Sequence, residues 1–159
     1  MDAYIYINKE KFFGVLDKLC NYNDLVYELS ENNLTVSDEK HRYVFSIENK
    51  DEDWIQPYDM DVDICLYTDI TGKNDKTMLI NGIGTVFALT NTILGSSDTD
   101  LMLMFEGEDC CIYRKNGSAL ADPVLKERYS TLLSSDSCFD FKHTPANVYE
   151  YVCRNISGQ

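Results

Sequence analysis

The chain has 159 residues, 44% of them hydrophobic, and 27 acidic residues against 14 basic ones give a formal net charge of −13. That size and apolar content suffice for one hydrophobic core without disulfides or metal, so we expect a single domain over residues 1–159. A surface this negative repels nucleic acid and anionic lipid, and we expect neither as a partner. It attracts a basic protein, although acidity that only maintains solubility gives the same composition.

The cysteines and histidines indicate neither a disulfide framework nor a metal site. No secretory signal opens the chain, no Cys-x-x-Cys pair occurs, and His41 and His143 are the only histidines. We therefore expect a cytoplasmic protein without cofactor or metal, whose cysteines are reduced and buried. The longest apolar stretch, residues 78–94, is interrupted by polar residues and is too broken to span a membrane.

The first third of the chain predicts short strands and one helix. The elements are a strand over 3–7, a helix from Lys9 to Cys20 capped by Asn8, strands over 24–30 and 34–37 joined by the turn Glu31-Asn32-Asn33, a strand over 42–48, and a polar loop over 49–59.

The clearest alternation of the sequence follows that loop. Apolar and acidic residues take turns, which predicts a strand with one packed side and one row of carboxylates. The apolar positions are Met60, Val62, Ile64 and Leu66, and the intervening ones are Asp59, Asp61, Asp63 and Cys65.

The remaining elements complete an α+β pattern. Residues 75–94 suit a helix in which Gly82 and Gly84 each cost about 1 kcal/mol relative to Ala, so tight packing against a sheet has to compensate. Strands joined by short turns predict an antiparallel β-sheet with helices packed mainly on one face. The other elements are a hairpin over 101–105 and 110–114, a turn at Asn116-Gly117, and helices over 123–133 and from Thr144.

Catalytic motifs are absent. Gly82-Ile83-Gly84 lacks the third glycine of a dinucleotide-binding loop, and neither histidine stands in a recognisable catalytic pattern. Asp59-x-Asp61-x-Asp63 resembles the start of a calcium loop, but Ile64 and Ile70 stand where glycine and glutamate are required. A hydrolase that uses paired carboxylates remains an alternative, because two outward acids on a strand satisfy the required separation.

The density of acids between residues 48 and 69 is the strongest functional signal. This stretch contains eight acids and one base, Lys50, and such crowding costs stability unless a ligand neutralises it. Aromatic residues among charges are typical of binding hot spots, although each aromatic side chain could equally fill space in the hydrophobic core. The predicted partner-binding residues are Glu48, Asp51, Glu52, Asp53, Trp54, Tyr58, Asp59, Asp61, Asp63 and Asp69.

A pattern over residues 85–117 resembles a known family. It consists of Thr85-Val86-Phe87-Ala88-Leu89, then Leu101 to Glu108, then Ile112-Tyr113-Arg114-x-x-Gly117. This pattern is similar to immunity proteins of bacterial toxin–immunity systems, including the Sit-type and contact-dependent growth-inhibition immunity proteins. The resemblance implies an intracellular protein, not an enzyme, that binds and blocks one cognate toxin domain, often a basic nuclease.

The sequence therefore predicts a toxin inhibitor that acts through an acidic surface. Two alternatives stay open: the carboxylate-paired hydrolase, and an acidic interaction module directed at another target. A deep pocket with two acids would favour the hydrolase, whereas the neighbouring genes would distinguish the two binding proteins.

Overall fold

The computed structural model describes residues 1–16, 26–37, 39, 42–49, 60–70, 76–106 and 109–121. The two helices predicted beyond residue 122 and most of the loop predicted over 49–59 lie outside these ranges. The elements in chain order are β1 (Asp2–Ile7), α1 (Lys9–Phe13), β2 (Val26–Leu29), β3 (Asn33–Ser37), β4 (Arg42–Asn49), β5 (Ile64–Asp69), α2 (Lys76–Ser96), β6 (Leu101–Phe105), β7 (Asp109–Lys115) and β8 (Ser118–Ala121).

These strands form one antiparallel sheet in the order β2-β3-β4-β5-β1-β6-β7-β8. The N-terminal strand β1 lies inside the sheet, with Ile5 opposite Leu66 of β5 on one side and opposite Leu103 of β6 on the other. The centre of the sheet therefore joins strands that are far apart in sequence, while the short turns between β2 and β3 and between β7 and β8 form local hairpins.

The first face of the sheet, the one that carries Ala3, Ile5 and Ile7 of β1, packs against both helices. Phe12 of α1 and the buried side of α2 join this face in one apolar cluster. The α+β class with helices on one face of an antiparallel sheet is therefore confirmed for the described part of the chain. The α2 residues in the cluster are Ile83, Val86, Phe87, Leu89, Ile93 and Leu94.

The helix α2 approaches the sheet most closely at Gly82. A Cβ atom at this position would lie 2.4 Å from Cγ2 of Ile70 and 3.2 Å from Cε1 of Tyr43. The tight packing against the sheet that was predicted to compensate for the glycines is present at Gly82. This contact offsets the low helix propensity of glycine.

The C-terminal end of α2 is fixed by Arg114, a buried arginine of β7. Its Nε donates to the carbonyl of Thr99, Nη1 to that of Leu94 and Nη2 to that of Ser97, each at 2.8 Å. The last carbonyls of a helix have no partner within the helix, and the planar guanidinium satisfies three acceptors at once. This side chain links the helix, the connection to β6, and β7.

The Asn116-Gly117 turn is confirmed. Both residues have positive φ, 53° and 88°, as a two-residue turn that matches the twist of a hairpin requires. The turn leads into β8, a strand that the sequence analysis did not predict, and β8 pairs with β7.

The helix predicted from Lys9 to Cys20 is wrong in its extent. Asn8 caps it as expected, accepting from the backbone N–H of Lys11 at 3.0 Å, but α1 ends at Phe13. The next residue is Gly14. Glycine loses more backbone entropy in a helix than other residues do, which disfavours continuation of α1. Residues 17–20 of the predicted helix lie outside the described ranges.

We predict that Gly82→Ala destabilises the protein by about 1–3 kcal/mol despite the better helix propensity of alanine, because the added methyl collides with Ile70. Gly95→Ala is the matched control, since nothing lies within 4 Å of the Cβ position there. It should be neutral or slightly stabilising. Chemical denaturation of both variants measures the difference, and equal effects would contradict the close approach.

Candidate functional site

The second face of the sheet, opposite the helices, has its own apolar cluster. None of the residues of α1 and α2 whose burial is described belongs to it, so these helices contribute to the first face only. The cluster consists of Tyr6, Met60, Val62, Cys65, Met102, Met104 and Cys110, with Tyr4, Tyr67 and Tyr113 packed against it and partly buried.

Three tyrosines of the central strands meet on this face. Tyr4 and Tyr6 stack with a centroid distance of 6.3 Å, and Tyr4 lies 5.1 Å from Tyr67 in a tilted arrangement. They meet because Tyr4 and Tyr67 are directly opposite each other in the β1–β5 ladder and Tyr6 follows two residues later on the same face. The hydroxyl of Tyr67 donates to Oδ1 of Asp2 at 2.9 Å.

Carboxylates surround these tyrosines. Asp2 is opposite Asp69, and the backbone N–H of Asp2 donates to Oε1 of Glu106 at 3.2 Å. Glu48 extends from the same face, opposite Cys65. The α-amino group of Met1 lies 3.4 Å from Oδ1 of Asp69 and partly compensates that charge. We call the group of Tyr4, Tyr67, Asp2, Glu48, Asp69 and Glu106 the tyrosine–carboxylate patch.

The patch stabilises the neutral form of the hydroxyl groups of Tyr4 and Tyr67. The hydrogen bond to Asp2, together with burial and the charges of Asp2 and Asp69, raises the pKa of Tyr67 to about 12. Burial, followed by the charge of Asp2, raises the pKa of Tyr4 as well. Both rings therefore remain uncharged at neutral pH, next to fixed negative charge.

Two of the predicted site residues, Asp61 and Asp63, make contacts that support the fold. Oδ1 of Asp63 accepts from the backbone N–H of Lys9 at 2.7 Å, in the first turn of α1. Oδ1 of Asp61 accepts from Nδ2 of Asn8 at 3.1 Å. Negative charge at a helix N-terminus is stabilising, so these contacts orient α1.

Further polar contacts continue from Asp61 toward the β7–β8 turn. Asp100 accepts from the backbone N–H of Asp61 at 3.0 Å and from that of Asn116 at 3.1 Å. Nζ of Lys11 lies 3.8 Å from Asp61 and 3.5 Å from Asp98. The acids at this end of the sheet are therefore partly neutralised within the protein.

The strand predicted through residues 60–66 is wrong in its first half. β5 begins only at Ile64, because the N–H of Asp61 bonds to a side chain rather than to a neighbouring strand. Met60 and Val62 pack on the second face, whereas Ile64 and Leu66 pack on the first. The acids do not form one continuous row along the strand.

The structure thus divides the predicted site. Asp63 and Asp69 lie at opposite ends of β5, about 20 Å apart at the rise of an extended strand, and Glu48 lies between them at the level of Cys65. Asp61, Asp63, Asp69 and Glu48 are all exposed. The other predicted site residues, Asp51, Glu52, Asp53, Trp54, Tyr58 and Asp59, lie outside the described ranges.

Sequence reasoning missed four members of the patch: Asp2, Tyr4, Tyr67 and Glu106. The available signal was the alternation of tyrosine with aliphatic residues in β1, which puts aromatic side chains on the face opposite Ile5 and Ile7.

Other chemistries receive no support from the described residues. They contain no group of three or more His, Cys, Asp or Glu side chains placed to hold a metal ion. Cys65, Cys110 and Cys111 are buried among the described residues, and none of the three takes part in a disulfide there. Cys111 is the extra residue of a bulge, since Cys110 is opposite Met104 and Ile112 is opposite Leu103.

No helix in the described ranges has the length and apolar character needed to cross a membrane. Comparison with protein-family models, with curated proteins and with solved structures finds no match.

The residues that carry the resemblance to immunity proteins have structural tasks in this fold. Arg114 binds the C-terminal end of α2, and Gly117 provides a positive φ of 88° in the turn. The rings of Phe87 and Phe105 pack with their centroids 5.8 Å apart. The pattern therefore describes how a helix and a hairpin are joined in this fold.

We predict that Asp2→Asn lowers the pKa of Tyr67 from about 12 toward its ordinary value of 10.0, because the charged acceptor is lost. The ring signals of Tyr67 in an NMR pH titration measure this change. Asp98→Asn is the control, because it removes the same charge at a different position. An unchanged pKa in Asp2→Asn would contradict the hydrogen bond.

The same bond makes stability dependent on pH. The pKa of Tyr67 is higher in the folded than in the unfolded chain, so its contribution is complete below about pH 10 and is lost as pH rises toward 12. Thermal unfolding should show a smaller loss over this interval in Tyr67→Phe than in the wild type.

Proposed function

We propose that the protein is a cytoplasmic immunity protein that binds and neutralises a cognate toxin domain through its acidic surface. The toxin domain is expected to be basic, as a nuclease that binds a phosphate backbone is. The protein acts by occupying a surface and performs no chemistry of its own.

The observation that carries the proposal is the tyrosine–carboxylate patch. It combines partly buried tyrosine rings, a residue type enriched at the centres of protein interfaces, with surrounding carboxylates of the kind found at the polar rim of an interface. A net charge of −13 adds a long-range field that accelerates encounter with a basic protein. Glu48 and Asp69 of the predicted interface belong to this patch.

The acids near α1 belong to the proposed interface at its margin. Asp61 and Asp98 are exposed and contribute to the field, but Lys11 lies near both. Exposed pairs of this kind contribute little to affinity, so we expect them to influence the association rate more than complex lifetime.

Co-purification with the toxin domain encoded by the upstream gene tests the proposal. The expected result is a stable complex that abolishes toxin activity and protects cells that produce the toxin domain. Failure to bind that domain, with both proteins folded, would contradict the proposed function.

Charge reversal locates the interface. Glu48→Lys with Asp69→Lys should lower the association rate constant roughly tenfold or more and weaken its dependence on salt. The control, Glu10→Lys with Glu39→Lys, changes the net charge equally at two exposed sites, one on α1, which packs on the opposite face of the sheet, and one between β3 and β4. Equal rate reductions in the two double variants would contradict a role for the patch.

A further inference from the structure

We infer that the second face of the sheet is the docking surface for residues 122–159 of the same chain. The apolar side of the helix predicted from Thr144 lies against this face, so that the sheet is covered on both sides. This inference goes beyond the proposed function and does not depend on it, since Tyr4 and Tyr67 stay partly exposed at the margin of the face.

The burial of the second face is the first argument. Met102, Met104 and Cys110 are each at most 2% exposed, and Cys65 is completely buried. A side chain on an uncovered face of a sheet remains accessible, as Val44 does on the second face of β4, where it is 46% exposed. The residues of α1 and α2 whose burial is described pack on the first face. The cover of the second face therefore comes from another part of the chain.

The described segment before β5 covers only one end of this face. Met60 and Val62 pack there, and the backbone N–H between them bonds to Asp100, just before β6 begins. Met104 follows Asp100 by four residues, which is about 13 Å at the rise of an extended strand. Met104 and Cys110, which are opposite each other, therefore require a second covering segment.

The point at which β8 ends is the second argument. Ala121 is opposite Ile112 of β7, and β8 is the last strand of the described sheet on that side. The buried cluster lies on the next four strands, β7, β6, β1 and β5, which together extend about 19 Å from β8. A helix over 123–133 would be about 16 Å long, so residues 122–159 suffice to cross the cluster. The exposed Val44 lies on the far side, beyond β5.

The amphipathic pattern after Thr144 is the third argument. At helical spacing, one side of this segment is apolar and the opposite side is polar, and such a helix needs an apolar surface to pack against. The apolar positions are Val148, Tyr149, Val152 and Ile156, and the polar ones are Asn147, Glu150 and Arg154.

The charge of the segment agrees with this placement. Residues 122–159 contain five acids and four bases, although the chain as a whole has 27 acids and 14 bases. A nearly neutral segment approaches the acidic sheet with little repulsion. The loop over 49–59 is the rival cover, but it contains four acids and one base and is repelled by the same surface.

Alkylation of cysteines in the full chain, followed by mass spectrometry, tests the inference. Cys65 and Cys110 belong to the second face, whereas the neighbouring Cys111 belongs to the first and serves as an internal control. Val152→Asp should raise the alkylation rates of Cys65 and Cys110 about tenfold or more, because a carboxylate against an apolar layer favours opening of the cover. The rate at Cys111 should not change.

Two further variants separate this cover from its alternatives. Asn147→Asp adds the same charge on the polar side of the predicted helix and should leave the three rates unchanged. Trp54→Asp places a charge in the loop over 49–59 and should also leave them unchanged. Unchanged rates at both second-face cysteines in Val152→Asp would overturn the inference, and so would exposure of these cysteines by Trp54→Asp alone.

Photocrosslinking decides if Val152→Asp unfolds the whole protein, which a faster reaction of Cys111 would reveal. A benzophenone side chain in place of Tyr149 reacts on illumination with the residues that it touches. Crosslinks to Met102, Met104 or Cys110 would support the inference. Crosslinks confined to α2 or to a second copy of the chain would overturn it.

Discussion

The structure depends on the burial of β1 from both sides. Ile5 and Tyr6 are adjacent, point to opposite faces and are both buried, and the strand pairs with β5 and β6 along its length. A strand that is apolar on both faces requires two separate packing surfaces. The helices supply one of them. The other gathers tyrosines, methionines and cysteines, and the tyrosine–carboxylate patch lies at its margin.

The position of α2 follows from contacts at two points along it. Gly82 lets the helix touch the sheet at Ile70, and Arg114 binds the carbonyls at its C-terminal end. Three hydrogen bonds from one buried guanidinium make this end intolerant of replacement, since removal of the side chain leaves buried carbonyls without partners. Because Arg114 belongs to the pattern that resembles immunity proteins, that pattern bears on the fold more directly than on partner choice.

Much of the fold could be predicted from local patterns. The strand over 3–7, the Asn116-Gly117 turn and the helix over 75–94 each depend on neighbours within a few residues, and each is confirmed. The strand predicted through residues 60–63 was wrong because long-range polar contacts decide its path: Asp61 bonds to Asp100, which is 39 residues away. Period-2 alternation alone does not reveal that the chain changes faces before Ile64.

The candidate site was less predictable for the same reason. Acid density correctly marks Glu48 and Asp69 as exposed carboxylates, but the patch is completed by Asp2 and Tyr67, which are 65 residues apart in sequence. Only the register of β1 against β5 brings them together. The contacts of Asp61 and Asp63 with α1 also depend on tertiary structure, and they make these two acids part of the scaffold as well as of the surface.

In the proposed complex, a basic partner covers the tyrosine–carboxylate patch. Hydroxyl-radical footprinting of the complex with the toxin domain measures this coverage, because it reports the accessibility of individual side chains. We expect Tyr4 and Tyr67 to lose reactivity on binding, while Phe13, an exposed residue of α1, keeps it. Protection of Phe13 with unchanged reactivity of both tyrosines would show that the partner binds elsewhere.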